Sequence, residues 1–212
     1  MRSFLLISAL SLGLFSIATP ADAAGVRMFV RHEVTDYAKW RKEYDGFRAT
    51  QRQMGVTAQA VYQSTDDPND VTVVHDFKSE QKAKAFAASD KLKAAMEGAG
   101  VKGAPTIWYT VMTFGASGKA SHVRMFVRHE VTDYAAWRKA YEAFQATAAK
   151  MGVMAQAVYQ ATDNRNDVTA YHDFASQAKA KAFAASAELK TAMQSAGVKG
   201  QPQIWFTTRA NK

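Results

Sequence analysis

Hydrophobic and polar positions change their period several times along this chain, and each change predicts an element. From Val26 to Val34 apolar and polar side chains alternate in a β-rich run, the pattern of a half-buried strand. Asp36 is a good N-cap. After it Tyr37, Trp40, Tyr44, Phe47 and Met54 fall mostly three and four apart until Gly55, which predicts an amphipathic helix with a glycine stop. Residues 57–63 and 71–77 read as two strands joined by the turn Asp66-Asp67-Pro68-Asn69-Asp70. Ser79 caps a second helix that turns Ala83, Phe86 and Ala87 inward and is interrupted at Ser89-Asp90 before Leu92, Ala95 and Met96. Gly98, Gly100 and Gly103 mark a loop, and residues 106–112 form a last strand.

The same series then begins again. Val26 to Ala38 returns letter for letter as Val123 to Ala135, and residues 26–110 align with 123–207 at a constant offset of 97, without a gap, with 60 of 85 positions identical. The chain therefore divides into a first repeat at 24–113, a connector at 114–122 containing Gly-Ala-Ser-Gly-Lys, and a second repeat at 123–212. Nine residues of connector span up to about 30 Å.

Each repeat has the order β-α-β-β-α-β, the ferredoxin-like split unit, with expected sheet order 4-1-3-2. Both helices cover one face, so the other, with Phe29, Val61 and Val74 or their neighbours, would be an apolar surface larger than soluble monomers usually expose. A tethered second copy, at an effective concentration of roughly millimolar, closes that face. The expected fold is α+β: two tandem ferredoxin-like repeats forming an intramolecular dimeric α+β barrel.

Val-Arg-His-Glu-Val-x-Asp-Tyr-x-x-Trp from Val30, Asp-Asp-Pro-Asn-Asp-Val before the third strand, and Leu-Lys-x-Ala-Met-x-x-Ala-Gly-Val-Lys-Gly-x-Pro-x-Ile-Trp running into the fourth give this order its detail. In these features the chain resembles the dimeric α+β-barrel superfamily, in particular antibiotic-biosynthesis-monooxygenase-like domains, over almost all of both repeats. The resemblance implies pairing of two sheets, here internal, and a range of activities from cofactor-independent oxygenation and haem degradation to none assigned. No catalytic residue of that family carries over residue by residue.

Composition is that of an ordinary globular protein, with 48% hydrophobic and 11% aromatic residues. Arg2, the apolar run 4–18 and Ala21-Asp22-Ala23 read as a secretory signal over residues 1–23, and the run is too short for a bilayer span. The expected location is periplasmic or secreted, with no stable membrane insertion after cleavage. The signal holds one Arg and one Asp, so the net charge of +8 belongs to the mature chain; scattered lysines read as a solvated basic surface and not as a nucleic-acid site. No cysteine is present, so neither disulfides nor thiol chemistry contribute.

Four of the five histidines are equivalent between repeats, His32 with His129 and His75 with His172. Alternation puts His32 on a face with Met28, Val30 and Val34, and His75 with Val71, Val73 and Phe77. On neighbouring strands each pair is expected side by side, able to orient an acidic ligand or relay a proton. The plainer reading makes them satisfied core or rim residues. Neither a metal nor a cofactor is expected, since two histidines lack a third ligand and the basic charge opposes cation capture. Tyr62, Tyr159, Trp108 and Trp205 can stack on a planar ligand, although strand aromatics more often serve packing.

Arg31, Glu33 and Asp76, with Arg128, Glu130 and Asp173, point the opposite way from the histidines. Either these charged residues line the barrel as an ion-pair network, or the histidine face is the interior; the aromatic helix stripe, which wants an apolar partner, favours the first. Val73 and Val74 become Ala170 and Tyr171, so any two pockets are unequal. Three function classes follow: binding of a small aromatic or acidic molecule, a cofactor-independent monooxygenase or related enzyme, and an envelope interaction module.

Overall fold

The computed structural model describes residues 25–116 and 123–210. The expected signal segment and residues 117–122 of the connector lie outside them. Repeat 1 runs β1 (Val26–Val34), α1 (Tyr37–Gly46), α2 (Arg48–Gln53), β2 (Val56–Ser64), β3 (Asp70–Phe77), α3 (Glu80–Ala87), α4 (Asp90–Gly98) and β4 (Val101–Ala116). Repeat 2 runs β5 (Val123–Val131), α5 (Tyr134–Lys150), β6 (Ala155–Ala161), β7 (Asp167–Phe174), α6 (Gln177–Ala184), α7 (Ala187–Ser195) and β8 (Val198–Arg209).

Local chemistry sets the helix ends. The side chains of Asp36, Ser79 and Ser89 accept from the backbone N–H groups of Lys39, Lys82 and Leu92, so Ser89 does split the second helical region. The first region differs between repeats: α1 and α2 break at Phe47, whereas α5 is continuous. Gly46, a poorer helix former by roughly 1 kcal/mol than the Ala143 that repeat 2 has at this position, stands before the break. At Gly100 the backbone has φ of 78° and a Cβ would land 2.4 Å from the Thr35 hydroxyl, so only glycine can turn α4 into β4 there. The fourth strand starts just after this glycine and continues through residues 114–116, which pair with β6 and are not a flexible connector.

The eight strands close into one barrel in the order β1-β3-β2-β8-β5-β7-β6-β4, which contains the expected 4-1-3-2 order in each half. Its two seams are unequal. β4 pairs with β6 from Thr110 to Ala116, while β8 pairs with β2 only at Tyr62, Gln63 and Ser64. On β1, Met28, Val30 and Val34 pack under the helices with Trp40, Tyr44 and Phe86. Phe29 faces the barrel with Val74, Trp108, Phe126 and Trp205. Val61 belongs to the helix side, contrary to expectation, and Ala60 and Tyr62 replace it inside the barrel.

The Phe29 ring stacks on Trp108 at 5.0 Å and meets Phe126 of the other half edge-on at 6.1 Å. Truncating Phe29 or Phe126 to Ala should cost about 3–5 kcal/mol in urea denaturation, comparable to a large part of a domain's stability. A separately expressed first repeat should dimerise or aggregate; a soluble, strictly monomeric repeat in sedimentation analysis would contradict the barrel as the means of covering the sheet.

Candidate functional site

Two regions collect the candidate residues, and they lie on opposite faces of the sheet. Inside the barrel, Trp108 Nε1 donates to Thr169 Oγ1 and Trp205 Nε1 to Thr72 Oγ1, each at 3.0 Å and each across the two halves. Arg27 forms a bidentate pair with Asp76 and also donates to the Tyr159 hydroxyl. Arg124 does the same with Asp173 and Tyr62. The Arg31 guanidinium pairs with Asp70 and lies 4.7 Å from the Trp205 ring; Arg128 pairs with Asp167, 4.5 Å from Trp108. The charged face is thus the interior one, as the aromatic helix stripe favoured.

This geometry changes several assignments. Trp108, Trp205, Tyr62 and Tyr159 have their polar atoms bonded within the barrel and their rings packed on one another, so they bridge the halves and none of them lines the cavity beneath the helices. Trp108 meets His32 only along an open concavity of about 340 Å³ at the barrel rim. Glu33 and Glu130 are solvent-exposed at the rim, where Glu130 accepts from Asn164 Nδ2; the interior ion pairs use Asp70 and Asp167 instead. Arg27 and Arg124 went unnoticed in the sequence. The signal was present: Arg27 alternates with Phe29 and Arg31 and sits opposite Asp76 in the register.

The histidines lie between sheet and helices. In repeat 1, Met28, Val30, His32, Trp40, Tyr44, Phe47, Gln51, Val73, His75 and Phe86, closed by α4 residues that include Met96, surround a cavity of about 50 Å³. His32 and His75 are not side by side: His75 stands opposite Met28, and His32 opposite Val71, four residues further along β1. They are two ends of one lining. Exposed Glu43 and half-buried Met96 place the mouth between α1 and α4.

Hydrogen bonding separates the two imidazoles. The Tyr44 hydroxyl contacts Gln59 Oε1 and His75 Nε2, each at 3.1 Å. A phenol has one proton; donated to Gln59, it leaves the oxygen to accept from a protonated His75 Nε2. Neither ring nitrogen of His32 meets a protein hydrogen-bond partner, and neither does Gln51 Oε1, although all three atoms are buried. Leaving such a group unpaired costs roughly 1–3 kcal/mol. Gln51 follows Trp40, Tyr44 and Phe47 at spacings of four, three and four, so a polar residue on the apolar stripe was legible in the sequence.

Repeat 2 keeps the constellation with smaller neighbours. Tyr141 contacts Gln156 and His172, and both ring nitrogens of His129 are again unpartnered. Ala140, Ala148 and Ala170 replace Glu43, Gln51 and Val73. Burial pushes His32 and His129 down from 6.5 to about 4, against the pull of Asp70 and Asp167 respectively. Burial lowers His75 and His172 as well, and raises the Tyr44 phenol. At neutral pH the lining is uncharged apart from Glu43 at the mouth. Among the described residues no group of three or more His, Cys, Asp or Glu is placed to hold a metal ion, and no helix is long and apolar enough to cross a membrane.

Residues 25–98 match the family model for antibiotic biosynthesis monooxygenase (ABM). Repeat 1 is an ABM domain, and the chain carries it in tandem. Among solved structures, an anthrone oxidase-like protein aligns with a TM-score of 0.66 at 14% identity, covering 90% of this chain and 93% of its own. A proposed monooxygenase from Lactobacillus acidophilus NCFM aligns at 0.56 and 11% identity, covering 88% and 94%. Chlorite dismutase from Candidatus Nitrospira defluvii aligns at 0.56 and 10%, covering 89% and 92%. At these identities the likeness concerns the fold alone, over nearly the whole length of each chain. A comparison with curated proteins finds no match.

The lowered pKa values of the four histidines predict a stability that depends on pH. Their folded pKa values lie below 6.5, so between pH 6.5 and about 4 the unfolded chain binds more protons and acid favours unfolding. Stability should be complete above pH 6.5 and fall by up to about 1.4 kcal/mol per pH unit for each histidine as pH drops towards 4. Thermal melts across that window check this; replacing His32 and His129 together by Leu should flatten the dependence, and an unchanged slope would contradict the assignment.

Proposed function

We propose that this tandem ABM protein binds a small, uncharged aromatic molecule bearing a hydroxyl or carbonyl group, in the cavity beneath α1–α4 of repeat 1. The observation that carries this is His32, buried with both ring nitrogens unpartnered and lining the same cavity as the unpartnered Gln51 oxygen. A hydroxyl can give its proton to the one lone pair of a neutral imidazole, and a carbonyl can accept from its N–H. The apolar wall of Met28, Val30, Trp40, Phe47 and Phe86 suits a ring. An acidic ligand is less favoured here, because the neutral histidines offer a carboxylate no counter-charge.

The void of about 50 Å³ holds a few water molecules, and a benzene-sized ring needs nearer 150 Å³. Binding then requires α1 or α4 to part. The break at Phe47, itself part of the lining and absent from repeat 2, supplies a joint in that wall.

A cofactor-independent monooxygenase is the second reading, supported by the family match. A base that keeps its proton only below about pH 4 is far from the value that serves proton transfer at neutral pH, which is why binding ranks first. We also infer export to the periplasm or beyond, supported by Arg2, the apolar run and Ala21-Asp22-Ala23. The intact mass of the protein recovered from the cell should begin at Ala24; retention of Met1 to Ala23 would overturn this.

Titration with phenols and quinols should quench tryptophan fluorescence saturably, without oxygen uptake in a parallel electrode measurement. Oxygen consumption dependent on the protein would select the enzyme reading. His32→Leu should weaken binding roughly tenfold to a hundredfold, the equivalent of one lost hydrogen bond in a buried site. Unchanged affinity in His32→Leu combined with Gln51→Ala, the residue of repeat 2, would remove the cavity as the binding site.

A further inference from the structure

A second concavity, of about 470 Å³, lies outside the histidine cavity between α1–α2 and the edge of β2. Its lining includes Arg41, Arg48, Arg52 and Arg209, with Gln59 and the residues 56–61, and no carboxylate. Exposed Asp45 pairs with two of these arginines. One Asp45 oxygen accepts from Arg41 Nε at 2.9 Å and the other from Arg48 Nη2 at 2.7 Å, so both are engaged by the same two arginines. Four guanidinium groups against one carboxylate leave three positive charges around one groove. Arg41 Nη1 and Arg48 Nε are buried without a hydrogen-bond partner, and no ion pair of the described residues involves Arg52 or Arg209.

The internal duplication sharpens the meaning of this cluster. Of the ten arginines in the described residues, six are equivalent between repeats; the other four are Arg48, Arg52, Arg165 and Arg209, and three of these line the groove. The positions matching Arg48, Arg52 and Arg209 hold Gln145, Ala149 and Met112. The seams differ at the same place. In repeat 2, residues 113–116 of β4 run along β6, and Phe114 lies under the Arg138 guanidinium at 4.2 Å. In repeat 1, β8 stops pairing at Tyr62, and only the Ala210 N–H reaches back, to Val61 O. The groove lies just beyond the last described pairing of β8 with β2, and arginines stand around it.

We propose that this groove is a binding site for a small ligand carrying two or three negative charges on phosphoryl or carboxylate groups. Guanidinium forks match both groups in a bidentate manner, and charge-assisted bonds of this kind are the stronger class of hydrogen bond. The volume falls in the range of small-molecule sites. Tyr44 lines both this groove and the histidine cavity, so the two sites share one wall and are otherwise separate. The assignment does not depend on the reading of the histidine cavity.

The test uses the mature full-length protein, titrated calorimetrically with pyrophosphate and with citrate at low ionic strength. One saturable site is expected for at least one of them. The combined substitution Arg48→Gln, Arg52→Ala and Arg209→Met installs the residues that repeat 2 carries at these positions in the same fold, and should weaken binding roughly tenfold or more. A control with the same loss of charge, Lys91→Ala, Lys93→Ala and Lys190→Ala, should bind as the parent does. Equal weakening in both variants would reduce the effect to overall charge and overturn the site, as would the absence of saturable binding. Phosphatidylglycerol vesicles distinguish a lipid phosphate from a soluble one: vesicle binding displaced by pyrophosphate and lost in the arginine variant assigns the groove to headgroups, while tight pyrophosphate binding without vesicle binding assigns it to a soluble anion.

Discussion

One constraint governs the molecule: a four-stranded sheet with helices on a single face must hide the other. Phe29, Trp108, Phe126 and Trp205 meet in the barrel, each half filling the space the other encloses, with both indole N–H groups satisfied by threonines of the opposite half. Arg27 and Arg124 close one end of the aromatic core, and Arg31 and Arg128 lie over its tryptophans. Half-buried charges are tolerable there because every guanidinium has its carboxylate and a ring face beside it.

Filling the barrel moves the candidate chemistry elsewhere. A core built from rings whose polar atoms are already bonded has little to offer a ligand, so the available polar atoms are on the helix side. There both ring nitrogens of His32 and the Gln51 oxygen are unpartnered and buried, whereas His75 is tied to Tyr44 through Nε2 and leaves only Nδ1 free. The division of labour follows from alternation along β1, where Arg31 and His32 are neighbours in sequence and belong to different interiors.

Duplication made the two halves alike and a few substitutions made them unequal. Gly46, Gln51 and Val73 give repeat 1 a broken helix and a polar group in its cavity, while Ala143, Ala148 and Ala170 leave repeat 2 with a continuous helix and less side chain in the equivalent space. The seams follow the same asymmetry, since β4 continues past its bulge along β6 and β8 leaves most of β2 as an edge.

Much of this was legible along the chain. The periods of two and of three to four residues, the caps at Asp36, Ser79 and Ser89, and the offset of 97 determine the elements, their order and the duplication, because those signals are local. Opposite facing of Arg31 and His32 is equally local. Tertiary structure alone decided which face became the barrel, that Val61 turned to the helices, that His32 and His75 stand four residues apart and not abreast, and that Glu33 stayed in water while Asp70 took its place beside Arg31. Those outcomes depend on strand register and on closure between segments far apart in the chain, where a shift of one residue reverses every side chain.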